Sequence, residues 1–203
     1  MKKETQEHQD EGAWITEMCI RACEEERETC PSRLFEAISV NPRCVSFGPI
    51  HHYIDGAVML ACFRAAQGEP GSSERLAADL TELRERSRCV PGGACARWGV
   101  CGAAASVGMA YAIISQNAPL KKEGWTEGQI LVSRALEKIA RAGSPRCCKR
   151  DSRIAIHEAT AFFNEQFGKV LEMPSDVPSC RSMGDNSVCM GAACPFHPDH
   201  ASV

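Results

Sequence analysis

The side chains able to carry chemistry in this 203-residue chain are its 13 cysteines, joined by a few histidines. Cys19, Cys23 and Cys30 follow steps of four and seven, which places them on one face of a first helix. Cys89, Cys95 and Cys101 have five residues in each gap and share a glycine-rich loop. Cys147 and Cys148 are adjacent and run directly into Lys149-Arg150-Asp151. Cys180, Cys189 and Cys194, with eight and then four residues between them, lie in a proline-rich C-terminal stretch. Cys44 and Cys62 stand alone, and Cys62 occupies a core position of a helical pattern, where a buried, inert thiol is the ordinary use of cysteine.

An odd number of thiols cannot pair completely. The opening Met1-Lys2-Lys3-Glu4-Thr5-Gln6-Glu7 has no apolar stretch, so an export signal is not expected. The thiols are then expected to stay reduced in the cytoplasm, as metal ligands, redox groups or packing. No two cysteines are separated by two residues, which removes the paired knuckles of zinc ribbons and the thioredoxin motif. Cys19-x3-Cys23 does not continue as a radical-SAM motif, because Glu26 holds the place of the third thiolate. Iron–sulfur ligation tolerates wider and less regular spacing, and Cys194-Pro195 matches the proline that follows the last ligand in ferredoxin-type runs.

Two thiol positions carry an added physical reason. Cys101, between Gly99 and Gly102 at the start of an apolar helix, meets free amides and the positive end of the helix dipole, which are expected to lower its pKa. It is the leading candidate for a ligand or nucleophile. Cys147 and Cys148 are flanked by Arg146, Lys149 and Arg150, a second electropositive setting. The competing reading of each is a small apolar residue where space is tight. His51 and His52 follow Pro49 at a helix start, where neutral imidazoles ligate metals or move protons, though a packed or capping histidine is an equal alternative. His157 has no second histidine four residues on, and His197 and His200 are read as solvated. No Walker loop, Rossmann fingerprint or serine elbow occurs.

The elements that must position these groups have helical periods throughout, with no strand-like alternation. The patterns predict helices over about residues 11–29, 31–38, 51–67, from Ser72 or Ser73 with the stripe Leu76, Leu80 and Leu83, 100–115, from Thr126 to the Gly143-Ser144-Pro145 stop, and 151–167. The fold class is therefore all-α: one compact domain of six or seven helices, read as an N-terminal helical extension (1–43) and a cysteine-rich domain (44–203) with an irregular tail. That tail is too polar and proline-rich to order itself, so something must fasten it or it is disordered.

Composition excludes some partners. With 23 Lys and Arg against 26 Asp and Glu, a net charge of −3 and no basic run, nucleic-acid binding has no electrostatic support. The uncharged stretch Trp98–Leu120 is long enough for a membrane span, but its glycines, serines, Gln116, Asn117 and Pro119 describe a buried helix of a soluble protein. In it Gly102 with Ser106, and Ala104 with Gly108, set small residues four apart for close helix contact.

Four segments together resemble a known family: Phe47-Gly48-Pro49-Ile50-His51-His52-Tyr53, the run Gly92 to Ala104 around Cys95 and Cys101, Pro145-Arg146-Cys147-Cys148-Lys149-Arg150-Asp151-Ser152, and Cys189-x4-Cys194-Pro195-Phe196. The family is an uncharacterised cysteine-rich domain of anaerobic bacteria and archaea, found alone or joined to SAM-dependent methyltransferase domains. The resemblance spans about residues 44–196 and marks His51, His52, Cys95, Cys101, Cys147, Cys148, Cys180, Cys189 and Cys194. It implies an oxygen-sensitive setting and a methyltransferase or redox partner protein, but no established activity.

The combined expectation is a metal centre, an iron–sulfur cluster with zinc as the alternative cofactor. Cys95, Cys101, Cys147, Cys148, Cys180, Cys189 and Cys194 converge to hold it, with Cys101, His51 and His52 beside it as catalytic candidates. Ligation would supply the free energy that orders the tail. Two rivals are a metal-free thiol enzyme, with Cys101 as nucleophile, His51 or His52 as base and a tail cysteine as resolving thiol, and a structural-zinc interaction module.

Overall fold

A computed structural model describes residues 12–168 and 170–200. Residues 1–11, with the charged opening and the first residue of the expected 11–29 helix, lie outside the described residues. The described residues form eight α-helices: α1 Ala13–Glu24, α2 Pro31–Ser39, α3 His51–Gln67, α4 Ser72–Arg88, the single turn α5 Ala94–Arg97, α6 Gly102–Ile114, α7 Trp125–Arg141 and α8 Cys148–Phe167. No strand occurs among the described residues. After Gly168 the described residues of the tail form only two short 3-10 turns, Met183–Asp185 and Gly191–Ala193.

The fold is built around α3, which is apolar on every side and buries residues from His51 to Ala65. Helices α1, α2, α4, α6 and α8 surround it, and α7 closes the far side against α6 and α8. Small residues allow the closest crossing. Ser106 of α6 accepts the Gly56 N–H of α3 at 2.8 Å, and a Cβ on Gly56 would sit 2.8 Å from the Ser106 carbonyl. Gly108 likewise admits Val132 of α7. The uncharged Trp98–Leu120 stretch is thus a core helix with its flanking turns, and no helix among the described residues is long and apolar enough to cross a membrane. The stripe of α4, Leu76, Leu80 and Leu83, is fully buried, and truncating any one of them to alanine costs about 2–5 kcal/mol.

Three local readings change. The first helix stops at Glu24, the first residue of the glutamate run, and Arg27 takes a left-handed conformation (φ 50°) while Glu28 N–H returns to the Ala22 carbonyl at 2.9 Å. Cys30 is consequently the N-cap of α2, off the face of α1 that carries Cys19 and Cys23. Ile130, placed on the inner stripe of α7 by spacing, is exposed, while Leu131, Ala135 and Ile139 are buried. Helix α8 begins at Cys148, a turn earlier than expected, which puts Lys149, Arg150 and Asp151 in its first turn. Helices α1 and α2 bury Trp14, Ile15, Leu34, Phe35 and Ile38 in the same core as the other helices.

Candidate functional site

The start of α8 divides the thiols. Cys147 is the extended N-cap (φ −139°, ψ 109°) and Cys148 the first helical residue, so the adjacent sulfurs serve different cavities. Cys147 lines a pocket under the tail together with Cys180, Cys189 and Cys194. Cys148 lines a cleft of about 180 Å³ between α3, α6 and α8 together with Cys95 and Cys101. The seven expected ligands therefore make two groups, of four and three, in place of one. Among the described residues, no three His, Cys, Asp or Glu side chains stand close enough together to enclose a metal ion.

The tail pocket is thiol-rich and cationic. Lys149, Arg150 and Arg153, successive on one side of α8, line it and are all buried. Two of them have carboxylate partners: Arg150 Nε donates to Asp151 Oδ1 at 3.1 Å, and Arg153 clasps Glu36 at 2.6 and 2.8 Å, with the Cys180 thiol also beside its guanidinium. Lys149 differs. Its ammonium, on a residue 4% exposed, donates to the Ser39 carbonyl at 2.8 Å and to Ser182 Oγ at 3.0 Å, and no carboxylate pairs with it among the described residues. An ammonium buried without a counter-anion is costly. Two N–H groups already donate to sulfur: Asn186 Nδ2 to Cys147 at 3.5 Å and Gly191 N–H to Cys189 at 3.4 Å. Burial pushes the Cys147 thiol up, against the pull of the Arg150 amide.

Direct protein contacts also order this segment. Cys180 N–H reaches the Phe196 carbonyl at 2.7 Å, Ser46 Oγ reaches the Asp185 carbonyl at 3.1 Å, and Phe196 stacks under Arg153 at 5.5 Å. Leu171 is the one fully apolar anchor in the core after Gly168 among the described residues.

The cleft has a different chemistry. His52 Nδ1 lies 3.2 Å from the Val90 carbonyl, so that nitrogen carries the proton and Nε2 keeps its lone pair. The Cδ2–Nε2 edge of the ring abuts Gly102, where a Cβ would be 2.2 Å from Nε2 and 2.0 Å from Cδ2, so only glycine fits. Asp151 Oδ2 is 3.9 Å from Cys101 Sγ, and Arg146 donates to Cys95 Sγ at 3.4 Å. The adjacent histidine is already satisfied: His51 Nε2 donates to the Val45 carbonyl at 3.0 Å, and Nδ1 meets Ser152 Oγ at 3.3 Å. Burial holds His51 neutral, pushing its pKa down to about 4, and lowers His52 as well. The pair of equal candidates resolves into a structural His51 and an available His52.

Cys101 sits where the sequence places it, as the N-cap of α6, but its acidity is opposite to expectation. Burial, then the Asp151 carboxylate, push its pKa up to about 12, and the Ala103 and Ala104 amides oppose this only in part. Cys148 is pushed up to about 11 by burial, against the Gly48 amide and Arg146. The helix dipole is a surface-scale effect, smaller than desolvation at a largely buried thiol. With the tail thiols lining the other pocket, the arrangement of nucleophile, base and resolving thiol does not assemble.

Behind the cleft, Asp55 of α3 is wholly buried and, among the described residues, neither carboxylate oxygen has a hydrogen-bond partner of normal geometry. Burial raises its pKa well above the usual carboxylate range, the nearby Ser152 hydroxyl opposing and Asp151 reinforcing the shift. Sequence reasoning passed over Asp55, Lys149 and Asp151 as site residues. The available signal was position: Asp55 falls one turn after His51 in an otherwise apolar helix, and the charged run after Cys148 precedes the buried stripe Ala155, Ile156 and Ala159. Cys19, Cys23, Cys30, Cys44 and Cys62 are buried packing residues, and Cys89 is exposed. A larger groove of about 590 Å³ beneath the tail, lined by Phe35, Ile154, Val177 and Phe196, contains no thiol.

No curated protein and no solved structure matches the chain. One family does, over residues 19–197, a span that takes in both pockets and every cysteine of the molecule: the chain belongs to the family of unknown function DUF5714.

Proposed function

We propose that the protein is an iron–sulfur protein with a redox accessory role, its cluster held by Cys147, Cys180, Cys189 and Cys194, which line one pocket and would have to draw together from positions in which no three of them enclose an ion. The observation that carries the reading is the buried Lys149 ammonium facing four thiols with no carboxylate partner among the described residues. A cluster bound by four thiolates is anionic and supplies the missing counter-charge. The N–H groups of Asn186 and Gly191 at the Cys147 and Cys189 sulfurs are the kind of contact that tunes a cluster's potential. Four cysteines make a complete ligand set, which suits electron transfer better than chemistry at an open iron. The partner is a separate redox or methyltransferase protein. Ligation also accounts for an ordered tail that has little apolar burial of its own.

The test is iron and acid-labile sulfide analysis with visible absorption on anaerobically purified protein. About four iron and four sulfide per chain are expected, the cubane count for four cysteine ligands, with a broad visible band that bleaches on reduction. Zinc without sulfide in this pocket would replace the proposal with a structural-zinc module, and a metal-free tail pocket would end both.

A further inference from the structure

We infer that the large groove between α2, α7 and the tail binds an apolar monocarboxylate, with the acid group against Lys138 and Arg141 and the hydrocarbon body beneath residues 174–178. The inference stands apart from the tail cluster, because the groove and the tail pocket have only Arg153 in common among their lining residues.

Helix packing and the tail's prolines create the cavity. Helices α2 and α7 both pack against α8, and Ile154 and His157 of α8 form the floor between them. The tail crosses above with Pro174, Pro178 and Pro195, which have no N–H to donate and offer apolar rings to the space below. The volume of about 590 Å³ lies within the ~300–1,000 Å³ of small-molecule sites, which are mostly apolar with a few placed polar groups. Val177 lines this groove with its side chain still 69% exposed, and an apolar ligand seated there would take it out of water.

Charge identifies the acid group and its position. On the α2 wall Glu36 and Arg153 satisfy each other at 2.6 and 2.8 Å, and the Arg153 guanidinium lies over the rings of Phe35 and Phe196 at 5.7 and 5.5 Å. That wall is apolar and electrically closed. On the α7 wall Lys138 and Arg141, three residues apart on one face, line the groove, whereas their carboxylate partners Glu158 and Glu137 do not. Glu137 occupies Nε and Nη2 of Arg141 at 3.1 and 2.8 Å, which leaves Nη1 for a ligand, and Glu158 leaves the Lys138 ammonium further protons to donate. Asp176, the other lining carboxylate, is exposed on the tail and accepts from Ser175 Oγ at 3.0 Å. Three cations and two carboxylates give the lining one net positive charge, which a single carboxylate neutralises. A guanidinium fork beside an ammonium suits that group better than a neutral head.

The probes are decanoate and 2-naphthoate, an acyl chain and a ring with the same acid group, titrated by calorimetry into anaerobically purified full-length protein, with 1-decanol as the uncharged control. One equivalent of acid should bind, and decanol should bind about tenfold more weakly than decanoate, the loss of one charge-assisted contact. Tighter binding of decanoate assigns a chain and of naphthoate a ring; either supports the site. Arg141→Gln, at a side chain 77% exposed and therefore safe for folding, should weaken both acids about tenfold and leave decanol unchanged. Val177→Asp, at the exposed rim, should weaken all three. Failure of both acids to bind, acid affinity indifferent to both substitutions, or decanol binding as tightly as decanoate overturns the inference. So does a dimer that Val177→Asp dissociates in the absence of acid binding, which would give the groove to a second copy of the chain. Iron and sulfide content, measured separately, reports on the tail pocket alone.

Discussion

Two neighbouring cavities share the first turn of α8 yet are built in opposite ways. The tail pocket takes three of its four thiols from a segment with only two 3-10 turns, and it is walled by Lys149, Arg150 and Arg153. The cleft takes an imidazole, a carboxylate and two thiols from the first turns of α3 and α8 and the N-cap of α6, and it is backed by a neutral buried layer of His51, Ser152 and Asp55. One cavity is an irregular chain folded over a helical cationic floor; the other is framed by helix ends on every side. Stability in the first should depend on what binds there, and in the second on packing that exists before anything binds.

The largest effect should come from removing the tail's ligands. Cys180→Ser with Cys194→Ser is expected to abolish iron binding and to expose residues 172–200 to limited proteolysis, while the helical circular dichroism of residues 12–168 persists. A tail that stays protease-resistant without its thiols would show that its order comes from contacts such as Cys180 N–H to Phe196 and not from ligation.

Next comes the neutral layer behind the cleft. His51 is pushed down from 6.5 to about 4, so the unfolded chain takes up its proton first and stability falls as pH drops through that window, by at most about 1.4 kcal/mol per pH unit. Asp55 acts with the opposite sign. Its raised pKa keeps it protonated in the folded state, so its contribution fades as pH rises above the unfolded carboxylate value. In the natural chain the two slopes oppose one another. Asp55→Asn removes one of them, and its urea midpoint should fall more steeply between pH 6.5 and 4 than that of the unaltered protein. Parallel curves would mean that His51 and Asp55 do not both hold their neutral forms.

The smallest effect is the most local. Gly102→Ala puts a methyl within 2.2 Å of His52 Nε2, and the ring must move. Such overpacking costs about 1–3 kcal/mol, and the urea midpoint should fall accordingly while the iron content of the tail pocket stays constant. Loss of iron in this variant would couple two cavities that the structure keeps apart.

Much of this could be read from residue spacing, and the failures have physical causes. The α3 and α6 helices, the small residues at their crossing and the α4 stripe were legible because helical period and side-chain size are local properties. The α1 end was misjudged because a glutamate-rich continuation remains helical in pattern; its stop is a left-handed Arg27. Cys101 is legible by position, but its acidity is opposite to the local expectation, since burial in the packed core, and then the Asp151 carboxylate 50 residues away in sequence, oppose the thiolate.

The sequence by itself determined an all-helical chain, the helices that form its core, and the segments that carry reactive groups. Only the tertiary structure decided how those groups are shared. An extended N-cap residue followed by the first helical residue turns Cys147 and Cys148 to different cavities, and the imidazoles' hydrogen bonds to the Val45 and Val90 carbonyls, with Ser152 on the second nitrogen of His51, decide which of the two keeps a free nitrogen. Neighbours in sequence are separated by backbone direction, and distant residues are joined by packing, so the partition of the thiols belongs to the fold.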